Sequence, residues 1–339
     1  MNSLISRRNF IISSTAALTT VAISKSPVQA QQFQCRQFHN QPENSPLHKA
    51  LVELWAAVKT ETGGRFVVQT FAQNNNIPGS DPEALKMLVS GELEFFTLMG
   101  GILGKVVPVA EMQGLPFVFK DTQHVLSIMD GSFGTYLQKE MAAKGIHGFL
   151  KGSFDNGFRQ IGSKSHPIRT SDDLIGLKIR VPDSPMFIDL FKVLGTDPKV
   201  INVAQLYQSI KSGMVDAQEN ALVVMELFNL YEVQKYLSMT NHMWSGFNLI
   251  ANLKFWNSVP NDIQAILQRN GIKYVALQRR QQSQASAAAV EQLTRYGMVV
   301  NSVDTSSFRP RLGHFYTRWK QHFGTTAWNL LEAQVGKIG

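Results

Sequence analysis

Two hydrophobic periods alternate along the chain. FQCRQF at 33–38 and RFVVQTF at 65–71 alternate apolar and polar positions as strands do. Between them Leu47, Leu51, Leu54 and Val58 recur at intervals of three and four, which predicts an amphipathic helix stopped by Gly63 and Gly64. SDPEALKMLVSG at 80–91 predicts a second helix, opened by a Ser80–Glu83 capping box and ended by Gly91, and LEFFTLM at 93–99 a third strand. Strand and helix in alternation are the grammar of a parallel sheet with crossover helices. Residues 105–119 are apolar, but Pro108 and Pro116 exclude a long helix there; helices are predicted over 121–129 and 133–144.

GIHGFLKGSFDNGFRQIGSK at 145–164 reads as two strand-like pieces broken between Gly152 and Gly157, and is the predicted crossing into a second domain. The grammar then repeats. A short capped helix, IRTSDDLIG, precedes the strand LKIRV at 177–181, in which Leu177, Ile179 and Val181 alternate with Lys178 and Arg180 and Pro182 ends the run. Next come the helix SPMFIDLFKVLG, the strand PKVIN, the helix VAQLYQSIKSG, the strand MVDAQEN and the helix-like ALVVMELFNLYEVQKYL. NHMWSGFNLIANLKFW at 241–256 predicts a strand returning to the first domain, and a long helix from Val259 to about Tyr296 precedes shorter C-terminal ones. The expected class is α/β in two lobes around a cleft, with lobe I at 31–154 and 246–285 and lobe II at 155–245 and 286–339. Repeated crossings would restrict relative motion to opening and closing.

Residues 1–30 follow neither period. Arg7 and Arg8 stand before an uncharged, Ser/Thr-containing run, and VQA closes it at 28–30, which is the layout of an export signal cut after Ala30. Arg7-Arg8-Asn9-Phe10-Ile11 looks like a twin-arginine signal; an ordinary Sec signal that begins with Arg-Arg shares that layout. Either predicts a destination outside the cytoplasm, in the periplasm. Cleavage removes three cations and no acids from a formal charge of +8, leaving +5 spread along the chain, with no nucleic-acid signature. Cys35 stands alone, so an intramolecular disulfide is excluded, and it reads as a small buried residue of the first strand. GxSxG, HExxH, the phosphate-loop pattern and paired CxxC are all missing, and no two of the eight histidines lie four apart. The sequence therefore offers no catalytic residues, metal ligands or cofactor motif, and a non-enzyme is expected.

NGFRQIGSKSHPIRTSDDLIGLKIRVPDSPMF, VAQLYQSIKSGMVDAQEN and FNLYEVQKYLSMTNH, in that order, resemble successive signatures of the solute-binding proteins of TRAP (tripartite ATP-independent periplasmic) transporters, dicarboxylate-binding branch. TGGRFVVQTF, GELEF and LPFVFKD extend the resemblance over nearly the whole mature chain. It implies a periplasmic-binding-protein-like pair of α/β lobes that closes on an organic acid and hands it to an ion-coupled membrane permease. A sensory receptor on the same fold, or an exported enzyme on this scaffold, are the alternatives. In the family the arginine of LKIRV holds the ligand carboxylate, which carries to Arg180; a planar fork of donors suits that task. Arg159 of NGFRQ matches a second arginine near the carboxylate, and Asn220 of DAQEN a donor from the same lobe, while Glu219 reads as structural. Asn40 and Met99 follow the first and third strands, where relatives touch the ligand and where open α/β sheets place their sites. FAQNNNIPG replaces the family's usual turn, Met99 is apolar where sugar-acid binders carry a polar residue, and ENA replaces ENP. With Phe117, Phe119, Trp244 and Phe247 following in the motif order, these departures point toward a less polar or aromatic monocarboxylate.

Overall fold

A computed structural model describes residues 32–339; the export-signal reading falls on residues outside that range. Ten strands are joined by helices: β1 Phe33–His39, β2 Phe66–Phe71, β3 Phe95–Met99, β4 Ile146–Ser163, β5 Lys178–Val181, β6 Asp197–Val200, β7 Ala217–Ala221, β8 Tyr236–Met239, β9 Trp244–Asn252 and β10 Val299–Ser302. They follow the order β2-β1-β3-β9-β4-β7-β5-β6, with β8 beside β4 and β10 beside β8. Around the first helix, Pro46–Glu61, the predicted stripe is the buried one: Leu47, Leu51, Leu54 and Val58 pack inward, and the Ser45 hydroxyl caps the helix by accepting from the His48 N–H. Cys35 is buried within β1.

The architecture is two-lobed α/β, and β4 is where the lobes meet. Its residues Ile146–Phe158 pair antiparallel with β9, which runs beside β3 in the first sheet. From Arg159 to Ser163 it pairs instead with β7, and β8 joins its other edge. The partner change falls between Phe158 and Arg159, so the guanidinium of Arg159 stands at the switch. The turn into it is built by Gly157 at φ +96°, a conformation only glycine adopts freely, with the Asp155 carboxylate accepting the Gly157 N–H at 2.8 Å. The predicted break in this segment is thus one 18-residue strand carrying two register shifts, at Gly148/Ser153 and Asp155/Gly157.

The long helix, Asn261–Arg295, braces that crossing. Gln278, buried on its inner face, exchanges two hydrogen bonds with the Asp155 backbone, at 3.0 and 2.7 Å. Gln282 donates to the Asn156 carbonyl, and Arg279 donates to the Ser153 carbonyl while forking onto Asp130 at 2.7 and 2.8 Å.

Three local expectations need correction. The helix Ser80–Ser90 has no Ser80–Glu83 capping box: it starts from Gly79 at φ +84° with no side-chain cap, because Ser80 itself lies at φ +48°. The helix-like stretch after Asn220 breaks at Leu227, since Asn229 turns left-handed at φ +53°, and its last residues enter β8. β8 and β10, four residues each, had no alternation long enough to declare them.

Candidate functional site

The C-terminal ends of β1, β3, β5 and β7 and the switch in β4 surround a cavity of ≈ 30 Å³. Asn40, Met99, Arg159, Arg180 and Asn220 line it, together with Gln41, Asp81 and Asn156 on the polar side and Ile102, Pro182, Val203, Val224 and Phe247 on the apolar side. The strand-end placement is the physical reason they converge: side chains that follow parallel strands point into the crevice beyond the sheet.

Arg180 reaches the cavity because β5 alternates. Ile179 and Val181 face the core at 0% exposure, and Arg180 faces the other way, 4% exposed. Its Nε donates to the Ile201 carbonyl at 2.7 Å, while its two Nη atoms have no hydrogen-bond partner among the described residues. Burial brings the guanidinium down only to about 10, with Glu219 and Asp81 pulling upward and Arg159 downward, so it is cationic at neutral pH.

Arg159 is differently placed. It forks onto the Glu219 carboxylate, donates to the Glu219 carbonyl at 2.8 Å and to Asn220 Oδ1 at 3.0 Å, and meets Ser245 Oγ at 3.3 Å and Met99 sulfur at 3.7 Å. The Phe187 ring lies 5.2 Å from its guanidinium carbon. Behind Glu219 stands His242, at 3.3 Å, whose Nδ1 lies 2.8 Å from the Thr240 hydroxyl. Burial pushes the Glu219 carboxyl up, but Arg159 and His242 outweigh it and hold it below its ordinary value. Burial holds His242 below its own ordinary value against the pull of Glu219. A neutral imidazole beside an ionised carboxylate must donate through Nε2, which leaves Nδ1 to accept from Thr240.

The first-lobe wall was only partly legible. Asn40, after β1, donates to Asp81 Oδ2 at 2.8 Å, and the fully buried Asn74 donates to Asp81 Oδ1 at 2.6 Å. Asn74 comes from the FAQNNNIPG turn, where Gln73 to Asn76 all adopt φ between +49° and +54°, a region asparagine tolerates better than most residues. Asp81, Gln41 and Asn156 were not among the site residues expected from the sequence. Burial raises the Asp81 carboxyl, opposed by the two amides and by Arg180.

Trp244 is a correction. Its indole is 0% exposed, its N–H donates to Asp155 Oδ1 at 2.8 Å, and it is not among the residues lining the cavity, because the first position of β9 packs it behind the crossing. Phe117 and Phe119 likewise line a separate surface depression beside Tyr316 and the C-terminus, and of the four aromatics only Phe247 reaches the cavity.

Residues 38–322 match the bacterial extracellular solute-binding proteins, family 7. A solute-binding protein of Chromohalobacter salexigens is 28% identical over 305 residues, covering 90% of this chain and 89% of that one. Among solved structures, a TRAP periplasmic solute-binding protein of Sulfitobacter sp. NAS-14.1 with bound β-D-galacturonate superposes with a TM-score of 0.85 at 28% identity, over 90% of this chain and 100% of the other. One from Polaromonas sp. JS666 bound to D-erythronate gives 0.84 at 26%, over 91% and 100%. With the family matched across the cavity, the two lobes and the crossing, the chain belongs to the family 7 bacterial extracellular solute-binding proteins and works in the periplasm as a carrier of solute.

Proposed function

We propose that the chain captures a small organic acid by its carboxylate, with Arg180 as the anchor, and delivers it to an ion-coupled TRAP permease in the membrane. The observation that carries this reading is the unpartnered end of the Arg180 guanidinium: a buried fork of donors facing a cavity, with no protein carboxylate on it. A planar carboxylate satisfies both Nη groups at once. Relatives crystallised with β-D-galacturonate and D-erythronate support a carboxylic acid as the ligand class. Arg159, committed to Glu219, acts as a second positive neighbour whose position is fixed, and Asn220, Asn40 and Met99 complete the enclosure. Capture proceeds by closure of lobe I (31–154 and 246–285) on lobe II (155–245 and 286–339), a division supported by the partner change in β4.

The test is calorimetric binding of D-erythronate and D-galacturonate to the mature chain and to Arg180→Ala. Removing one partner of a buried charge pair costs roughly 3–5 kcal/mol, so binding of whichever acid the wild type takes should fall beyond detection. Undiminished affinity in Arg180→Ala would remove the anchor. Transfer to the permease is checked by uptake into vesicles holding the membrane subunits, which should depend on added binding protein.

A further inference from the structure

A seam beside the cavity joins the two lobes through one buried carboxylate. Ile102 and Pro182 both line the cavity, Ile102 on the short helix Gly100–Leu103 of the first lobe and Pro182 just ahead of the helix Pro185–Val193 of the second. Where these elements meet, Glu111 of the first lobe, 1% exposed, accepts the Ser184 hydroxyl at 2.6 Å and the Met186 N–H at 2.8 Å, both through Oε2. We propose that Glu111 is the latch of the closed form: its two bonds to the second lobe are made as the lobes meet and broken when they part, so that it sets how long a captured solute is held. The inference rests on the lobe closure proposed above.

The fit on both sides supports this. Ser184 is the cap of its helix, accepting the Phe187 N–H at 3.4 Å while its own proton goes to Glu111, so the carboxylate sits on a helix start whose first N–H groups have no partner inside the helix. Across the seam the first lobe offers glycine twice. A Cβ at Gly101 would lie 3.1 Å from both the Phe187 ring and Ser184 Oγ, and one at Gly104 would overlap the Glu111 side chain itself. Glycine at 101 lets the helix start come close, and glycine at 104 lets Glu111 reach it. Lys105 and Asp183 add an ion pair at 2.6 Å to the same seam, but both are partly exposed and water screens them. The buried contact is the one that opening must break: both bonds have to go before water can replace them.

Stopped-flow binding of D-erythronate and D-galacturonate separates capture from release, because capture starts from the open form, where the latch is unmade. For whichever acid the wild type takes, Glu111→Ala should release it at least about tenfold faster, as two lost bonds to one carboxylate imply, with the association rate unchanged. Glu111→Gln, whose amide oxygen can accept both bonds, should restore most of the wild-type release rate. Gly101→Ala, which wedges the seam and leaves Glu111 in place, should speed release as well, and it decides the matter if Glu111→Ala does not fold. An unchanged release rate in Glu111→Ala overturns the latch, as does a loss confined to the association rate, or a Glu111→Gln that releases as fast as Glu111→Ala. A wild type that binds neither acid overturns the proposed function and the latch with it. Binding lost in Arg180→Ala with release unchanged in Glu111→Ala leaves the anchor standing and removes the latch; faster release in Glu111→Ala with binding retained in Arg180→Ala does the reverse.

Discussion

Two arginines with the same formal charge do different work because of what stands behind them. Arg159 and Glu219 are 2% and 0% exposed, and their pairing is completed by His242, Asn220 and Ser245. Burying an ion pair is offset only when the remaining donors and acceptors are satisfied, and here they are. Removing one member leaves an uncompensated charge: Glu219→Gln should destabilise the fold by roughly 3–5 kcal/mol in urea unfolding, and the pair Arg159→Met with Glu219→Leu by clearly less than Glu219→Gln alone. A double variant as unstable as the sum of the singles would contradict the coupling. From the sequence, Glu219 could be read as structural only by elimination, as a carboxylate unsuited to face another carboxylate. Its partner was hidden because Arg159 and Glu219 lie 60 residues apart and meet through the register of β4 on β7. That Arg180 faces away from the core was legible, since the period of β5 and the following proline set its direction within five residues; its task as an anchor rests on the family resemblance. The place of Asp81 on the cavity wall was not, because it depends on the turn before it and on an asparagine 41 residues upstream.

Elements carry their own electrostatics. The segment Pro108–Gly114 presents Glu111, 1% exposed, to the start of the helix Pro185–Val193. Its carboxylate accepts the Ser184 hydroxyl at 2.6 Å and the Met186 N–H at 2.8 Å, joining two elements that the chain separates widely. A helix N-terminus favours an anion, yet burial wins and pushes Glu111 up to about 7, against the pull of those two hydrogen bonds. The folded form therefore binds this proton more tightly than the unfolded form. Its contribution to stability is complete below about 4.5 and is lost as pH rises through about 7, amounting to roughly 3 kcal/mol across that window. Glu111→Gln, which keeps the shape and one acceptor, should flatten the decline in urea stability between pH 5 and pH 8; an identical slope in both proteins would show that other groups cause it. Elements of this kind were visible in sequence only in outline. Long periodic helices and alternating strands declared themselves, whereas nothing in the pattern marked Gln278 and Gln282 as the glutamines that lock the long helix onto the β4 crossing. Glutamine in a helix face is uninformative until its partner backbone is known.

At the scale of the whole molecule, β4 is shared between two sheet regions, with β9 along its first part and β7 along its second, and the long helix is bonded to it. Gln278, Gln282 and Arg279 tie the long helix to β4 at the register shifts before the switch, so the proposed closure has few degrees of freedom beyond a hinge. The bend available to it is at Gly157, whose φ of +96° is held by Asp155, itself fixed by the Trp244 indole N–H. Trp244 thus supports this turn from behind the cavity, without lining it. A ligand can bias this motion only by binding the closed form more tightly than the open one. Arg180 stands on the second-lobe wall and Asp81 with Asn40 on the first, so a ligand that needs both is fully satisfied only when the walls meet. Small-angle scattering should therefore show a smaller radius of gyration on adding saturating D-erythronate, together with a rise in melting temperature. At 100 times the dissociation constant that stabilisation corresponds to roughly 2.7 kcal/mol. Arg180→Ala should lose both the melting shift and the compaction, since the ligand then lacks its anchor on the second wall. Full compaction in that variant would mean that closure does not depend on the anchor.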